Sequence, residues 1–514
     1  MDRRAFLGAT ARLAALAAVG QIAGCVPTTP VRFDRDPFTL GVASGDPLPD
    51  GVVLWTRLAL DPLTGGAMGS APVDVEWLVA RDDAMKDVAR SGKTSALPEL
   101  AHSVHVEVSG LDPDRVYWYR FRAGGAESAI GRTRTAPAAG SSVRELRFAF
   151  ASCQNYAHGY FTAHANLARE ELGAVFFLGD YIYEGNATGS VVREYAKRGW
   201  SFSLADYRDR HAQYKTDKDL QAAHAAFPWI VTWDDHEVEN NYAGGIDKDA
   251  ERNKFALLQR SWAYQAFYEH MPMRIRPQGP DVTLYRSLSF GDLATFFVLD
   301  TRQYRSPEVA LCREQDQTPS GYCPASLDPN RTMLGAEQRS WLLSGLGSSP
   351  AAWNLIAQSV RFAQQDSNPE PSRHLFDGVD NWMGYVVDRQ AILDRFATTK
   401  NPVVLSGDSH VNFVYDLKRD FADPASPTVG TEFLGTSISS EGDPFVEQTQ
   451  FTPPGKNPQL RFFDNHRGYV RCTLERARLT ADFRAVSTVR KPTATVSTTA
   501  TFVVDDGKAG ARRA

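Results

Sequence analysis

The sequence predicts an α/β domain preceded by an all-β sandwich and an export leader. Three observations carry this. Five short apolar runs stop abruptly at a thiol, an acid or an imidazole: Phe148–Ser152 before Cys153, Ala174–Leu178 before Gly179-Asp180, Ile230–Trp233 before Asp234-Asp235-His236-Glu237, Thr295–Leu299 before Asp300, and Val403–Ser406 before Gly407-Asp408-Ser409-His410. Buried strands that end this way place polar groups on one rim of a sheet, where α/β proteins bind ligands. Residues 36–136 instead alternate with period two, and residues 1–25 have the make-up of a leader.

In the leader, Arg3-Arg4-Ala5-Phe6-Leu7 is a twin-arginine start, followed by an Ala/Leu/Gly-rich stretch that Arg12 interrupts and that makes a poor membrane span. The expected partner is the twin-arginine export machinery, and the expected location is the periplasm or the outer surface of the cell membrane. Ile22-Ala23-Gly24-Cys25 resembles a bacterial lipobox, so a lipid anchor on Cys25 and an ordinary cleavage site beside an incidental cysteine both stay open.

The 514 residues exceed one compact core, so two domains are expected. In the first, at 36–136, Val73–Trp77 and Val104–Val108 read as half-buried antiparallel strands, and Leu111-x-Pro113-x-x-x-Tyr117 has the spacing of a tyrosine corner. We read a fibronectin III-like β-sandwich. Thr135–Ser142 is a turn-rich linker. In the second, at 143–504, strands alternate with helices over 161–171, 253–268 and 336–346, which gives an α/β (α+β) architecture. Residues 185–227, rich in Tyr, Arg and His, are expected to add helices and a wall of the site. β alternation returns beyond Glu475, and the tail 505–514 reads as disordered. A disulfide is expected between Cys312 and Cys323 across a polar loop in an exported chain, and Cys472 reads as core. The net charge of -5, with no Lys/Arg-rich stripe or tail, gives nucleic-acid binding no electrostatic footing.

The strand ends carry the chemistry. After Gly179, the Asp180 carboxylate can offer one oxygen to each of two cations. Tyr183, three residues on, can join as a phenolate if the metal is a strong Lewis acid such as Fe(III). Read alone, the pair is a capping Asp and a packing Tyr. Consecutive Asp234 and Asp235 repel each other unless a cation or arginine lies near. His236 is placed to donate to a phosphoester, with Asn240 or Asn241 as a phosphate donor. Asp408 and His410 can each supply a ligand, although a capping Asp with a surface His fits that motif equally well. Cys153, as a thiolate, would be a soft ligand suited to iron.

Together these residues resemble the alkaline phosphatase D family of the calcineurin-like metallophosphoesterases. That family combines Ser-Cys-Gln, Gly-Asp-x-x-Tyr, Trp-Asp-Asp-His-Glu, Leu-Asp-x-Arg-x-Tyr and Gly-Asp-x-His in this order; here they stand at Ser152–Gln154, Gly179–Tyr183, Trp233–Glu237, Leu299–Tyr304 and Gly407–His410. Val42–Pro47 and Val53–Arg57 are similar to the family's leading domain. The resemblance implies a metallophosphoesterase sandwich of two mixed sheets flanked by helices. It implies Fe3+ on Cys153, Asp180, Tyr183 and His410, with Asp180 bridging to Ca2+ on Asp235 and Asp408, as a binuclear or larger cluster; other divalent metals are admissible. Relative to the wider superfamily, Cys153 replaces an Asp-x-His, Asp235 an Asn and Asp408 a His, while Gln358 stands where a further metal-binding His would follow a strand. Oxygen, thiolate and phenolate donors argue against a di-zinc site.

The implied activity is hydrolysis of a phosphoester substrate, chiefly a phosphomonoester, by a metal-bound hydroxide. His236, Arg302 and Asn240 or Asn241 would bind phosphate or assist the leaving group, with Asp180 at the centre. Arg302 could equally be a structural partner of Asp300. Phosphodiester or phospholipase D-like hydrolysis is the alternative, followed by an inactive metal- or phosphate-binding surface lipoprotein.

Overall fold

The computed structural model describes residues 32–514 apart from 187, 190, 245–252, 278, 308–320, 371, 377–379, 424, 444–452 and 454. The leader and Cys312 lie outside the described residues. Cys323 is disulfide-bonded, and Cys153 and Cys472 are buried free thiols.

Two large sheets stack face to face. The first has ten strands, in the order Arg512–Arg513, Val496–Asp505, Arg478–Val486, Gly468–Glu475, Glu145–Ala151, Ala174–Leu178, Pro228–Thr232, Val42–Leu48, Gly51–Arg57 and Ser103–Val108. The second has seven: Arg286–Phe290, Ala294–Val298, Trp353–Ala357, Pro402–Ser406, Thr428–Leu434, Asn412–Lys418 and Leu460–Asp464. The central strands of each are parallel. Ala174–Leu178, Pro228–Thr232 and Pro402–Ser406 are buried at every position, so they read as unbroken apolar runs rather than alternating ones.

Phe148, Phe150 and Phe176 of the first sheet interdigitate with Phe296, Leu355, Val403 and Phe433 of the second. The Phe176 and Phe296 rings stack with centroids 4.4 Å apart. The outer face of the first sheet is covered by helices Leu204–Lys215, Lys218–Ala226 and Asn253–His270, that of the second by Gly335–Ser348 and Val386–Phe396. The helix expected over 161–171 is confined to Thr162–Leu167. Residues 168–173 must return to the sheet, where the Gly173 amide bonds the Arg147 carbonyl at 2.7 Å.

The N-terminal region forms a second sandwich, but not a detached one. Its outer sheet consists of Val88–Ala96, Val73–Ala80, Val116–Ala123 and Ala126–Glu127, with Gly131–Arg134 also on Val116–Ala123. The facing strands 42–48, 51–57 and 103–108 belong to the ten-stranded sheet, because Ser44 and Gly45 pair in parallel with Pro228 and Trp229. A Cβ on Gly45 would sit 2.2 Å from the Pro272 carbonyl oxygen and 2.5 Å from that of Trp229, so this junction requires glycine. The linker therefore divides the sequence but not the sheet. The tyrosine corner forms: the Asp112 amide donates to Tyr117 Oη at 2.8 Å.

The tail corrects the expectation of disorder. Arg512–Arg513 pairs with Phe502 and Val503, and the Gly510 and Ala511 amides donate to Thr431 Oγ1 and Asp416 Oδ1 at 3.2 and 3.0 Å. Its composition suggested a loose end, but its backbone donors find buried acceptors and Ala511 packs on the inter-sheet core.

Imidazoles are buried where the N-terminal strands meet the helices. His105 bonds the Tyr268 and Met271 carbonyls. His211 stacks on His270 with centroids 5.0 Å apart, Arg57 Nη1 lies 2.7 Å from His270 Nε2, and Lys215 Nζ lies 3.0 Å from His224 Nε2. Burial pushes His105 down to about 4 and His211 down to about 3, and holds His224, His270 and the Lys215 amine well below their usual ranges. The unfolded chain protonates these histidines from about pH 6.5 and the folded chain does not, so stability is full above that pH and is lost as the pH falls toward 4 and 3. The urea midpoint should therefore drop steeply between pH 6.5 and 4. Among the described residues His211 has no hydrogen-bond partner on either ring nitrogen, so His211→Phe should recover roughly 2–3 kcal/mol at pH 4. A midpoint flat across this range would contradict the assignment.

Candidate metal centre

The carboxyl ends of the parallel strands share one rim, and the chain leaves several of them in a strained conformation. Cys153 (φ 60°), Asp180 (φ 55°), Asn241 (φ 59°), Asp408 (φ 65°) and His410 (φ 55°) all adopt the left-handed region, rare for residues other than glycine and concentrated at functional sites. The Cys153 and Gln154 amides extend the ladder past the strand end, donating to the Gly179 and Asp180 carbonyls at 3.1 and 3.0 Å. Gly179 has φ 105°, and a Cβ there would lie 2.5 Å from Asp234 Cβ; no larger residue lets the two acid-bearing turns approach.

Two sets of ligand atoms converge, each within 4.8 Å: Cys153, Asp180 and His410, and Asp180, Asp235 and His236. Asp180 belongs to both. Tyr183 Oη donates to Asp180 Oδ2 at 2.9 Å, lies 3.1 Å from His410 Nε2 and is 2.7 Å from Ser440 Oγ. Asp180 Oδ1 is buried and meets no hydrogen-bond partner among the described residues.

Burial pushes the Cys153 thiol and the Tyr183 phenol well up, with Asp180 adding to both. Burial likewise lifts Asp180, against the opposing pull of His236, and lifts Asp408, reinforced by Asp234, Asp380 and Asp235. Burial and mutual repulsion among these donors thus favour their protonated forms, and His236 and Arg302 offset this only in part. Cations among them would favour the anionic forms and would offer the second oxygen of Asp180 a partner. The residues present thus fit a metal centre of thiolate, phenolate, imidazole and carboxylate donors.

His236 is held for a different task. Its ring lies on that of Tyr183, with centroids 4.1 Å apart, and its Nδ1 is 2.7 Å from Glu184 Oε2. Burial, which would lower its proton affinity, is outweighed by Glu184, Asp235 and Asp180, and the imidazolium is favoured well above the usual range. Glu184 also accepts the Asn240 amide at 2.9 Å. Asp235 Oδ2 accepts the Asn241 amide at 2.7 Å. Both asparagine side chains border the site half-exposed.

The structure thus brings together Cys153, Asp180, Tyr183, Asp235, His236 and His410. Asp408 stands outside both converging sets and shares its charge environment with Asp234, Asp380 and Asp235 instead. Arg302 is a correction. Its fully buried guanidinium is engaged by Asp234 (Nε to Oδ1 at 2.5 Å, Nη2 to Oδ2 at 3.0 Å) and by Asp380 (Nη1 to Oδ1 at 2.6 Å, Nη2 to Oδ2 at 2.8 Å), which commits four of its five N–H donors to carboxylates and gives it a structural role. Nor does its side chain pair with Asp300, which instead caps the Arg302 and Gln303 amides.

Sequence reasoning also missed Glu184, Glu237 and Ser440. Glu237 accepts the Asp180, Tyr181 and Asp234 amides at 3.1, 2.5 and 2.8 Å and thereby ties two turns together. Glu237 closes a motif already recognised, Trp233–Glu237, and Glu184 stands one residue past another, Gly179–Tyr183. Ser440 follows a strand with no distinguishing pattern.

A sequence profile of the PhoD-like phosphatases matches residues 148–483, and that of the PhoD-like phosphatase N-terminal domain matches 24–137. The chain belongs to the PhoD-like phosphatase family. It is 46% identical to alkaline phosphatase D of Bacillus subtilis (strain 168), over 100% of this chain and 89% of that protein. A solved structure of PhoD superposes with a TM-score of 0.89 at 46% identity, covering 94% of this chain and 93% of the other. This PhoD-like phosphatase is therefore a phosphoric ester hydrolase, and its converging donors suit the metal dependence of the family.

Within this PhoD-like scaffold, Arg302 should act on stability. Replacing it with Met leaves Asp234 buried without its arginine and Asp380 with Arg305 alone, at a cost of about 3 kcal/mol. Denaturant unfolding should show this loss. A variant with wild-type stability and impaired phosphate affinity would return Arg302 to the substrate.

Proposed function

We propose that the chain is an exported phosphomonoesterase that releases inorganic phosphate, with Fe3+ held by Cys153, Tyr183, His410 and Asp180, and Ca2+ held by Asp180, Asp235 and Asp408. The observation that carries this reading is the position of Asp180, common to both donor sets and with one oxygen unpartnered. Thiolate and phenolate donors favour iron, and a carboxylate-rich set favours a hard cation. Bound there, the cations would polarise the phosphate and lower the pKa of a water.

The chain's own residues supply the rest. Glu184 takes the Nδ1 proton of His236 in a hydrogen bond, which fixes the ring and leaves Nε2–H to donate to a phosphate oxygen or to the departing alkoxide. Asn240 and Asn241, held through their amides by Glu184 and Asp235, can present side-chain donors to the phosphate.

Asp180→Ala should lose bound iron and calcium together, and with them hydrolysis of p-nitrophenyl phosphate by at least about 10³-fold. Retained iron with near-normal turnover would contradict the shared ligand. The same assay with bis-p-nitrophenyl phosphate addresses diester hydrolysis: a faster diester rate in the wild-type enzyme would displace the monoester reading.

Export rests on Arg3-Arg4, and anchoring on Ile22–Cys25. Arg3→Lys with Arg4→Lys should leave the enzyme in the cytoplasm, and Cys25→Ala should release it from the membrane. Unchanged fractionation of either variant would remove the corresponding proposal.

A further inference from the structure

Among the described residues few large apolar side chains are strongly exposed, and three of them, Val191, Trp200 and Phe202, share one segment. Trp200 is 44% and Phe202 43% exposed. Their rings are nearly parallel, at 15°, with centroids 6.4 Å apart. Two adjacent aromatic side chains this exposed forgo burial that aromatic residues ordinarily gain, and such patches mark contact sites.

The pair is also held in place. It lies in an irregular stretch between Gly185 and Ser203, yet the Ser201 amide donates to the Glu184 carbonyl at 2.9 Å and the Gly199 amide to Asn186 Oδ1 at 2.7 Å. Buried Arg210 bonds the Tyr183 and Gly185 carbonyls at 2.8 and 3.0 Å and the Gly199 carbonyl at 3.2 Å. One guanidinium thus clamps the aromatic segment to the turn that carries Tyr183 and Glu184. The Trp200 ring lies over Gly185, 3.3 Å from where a Cβ would stand. Gly185 is two residues, at most about 7 Å of chain, beyond Tyr183.

We propose that Trp200 and Phe202 form a platform for the organic group of the phosphomonoester, and that the group they select is planar and aromatic. This deepens, and rests on, the monoesterase reading above. A flat ring can stack on either face, whereas glycerol or a sugar covers the same surface less completely. The neighbouring cations do not make a field for a polyanion or an anionic bilayer: Lys197 pairs with Asp206 and Arg198 with Glu194.

The test is binding of two non-hydrolysable probes, phenylphosphonate and methylphosphonate, to the metal-loaded enzyme by titration calorimetry. The wild-type protein should prefer the phenyl compound about fivefold or more, the low end of ring stacking. Trp200→Ala and Phe202→Ala should each erase most of that preference with methylphosphonate affinity kept within twofold, while Trp200→Phe retains it. Leu327→Ala, an exposed apolar residue elsewhere, should change neither. Absence of a phenyl preference in the wild type, or its persistence in both alanine variants, overturns the proposal. So does loss of sedimentation with phosphatidylglycerol vesicles in Trp200→Ala while the phenyl preference stands, which would make the pair a membrane contact. An enzyme that keeps the preference yet hydrolyses no phosphomonoester would overturn the function proposed above and leave the platform in place.

Discussion

Asp180 is buried with one oxygen bonded to Tyr183 and the other facing no protein donor, among a thiol, a phenol and further carboxylates. A folded chain keeps such a gathering only if something positive joins it or if most of its members stay protonated. The surrounding architecture is arranged around this constraint. Three strands from one sheet and one from the facing sheet deliver the donors, and the turns that present them accept left-handed conformations that cost stability. A strained turn persists where its neighbours over-determine it, and Glu237 does so by binding three amides from two turns at once.

The acids at this rim divide by how they are neutralised. Asp234 and Asp380 are matched by Arg302, and that same guanidinium, with His236, holds Asp235 far below the usual carboxylate range despite burial. Glu237 is satisfied by backbone amides. For Asp180 and Asp408, burial and the neighbouring acids outweigh the pull of His236 on the first and of Arg302 on the second. This uneven supply of partners separates acids fastened to protein donors from Asp180, one oxygen of which meets no hydrogen-bond partner among the described residues. It also explains how Asp234 and Asp235, adjacent in sequence, serve different ends: one anchors the arginine, the other joins a converging ligand set.

Much of this was legible in the sequence because buried parallel strands leave an unmistakable trace, an apolar run cut off by a polar cluster. Cys153, Asp180, Asp235 and His410 were found that way. Arg302 was misread for the same reason: it follows such a run, and nothing in the order Asp300-Thr301-Arg302 reveals that Asp380, nearly eighty residues on, takes half of its guanidinium. Glu184 and Ser440 were overlooked because their roles are to bond other side chains, a relation that spacing does not encode. The tail was misjudged because its small residues carry no pattern, while its order comes from acceptors on Asp416 and Thr431 far back in the chain.

The same non-local logic explains why the N-terminal sandwich cannot be regarded as an appendage. Strand Val42–Leu48 pairs with Pro228–Thr232, the strand that feeds Asp234–Glu237 into the site. Removing it would leave that strand at the edge of the sheet, paired on one side only by Ala174–Leu178. Trp55 Nε1 and His105 add bonds to the carbonyls at the end of helix Asn253–His270. Arg286 reaches across to Asp46 from the opposite sheet at 2.6 Å. A helix, two sheets and the strand behind the acid cluster are thus fastened to the N-terminal strands. The geometry of this rim depends on N-terminal strands that contribute none of its converging donors.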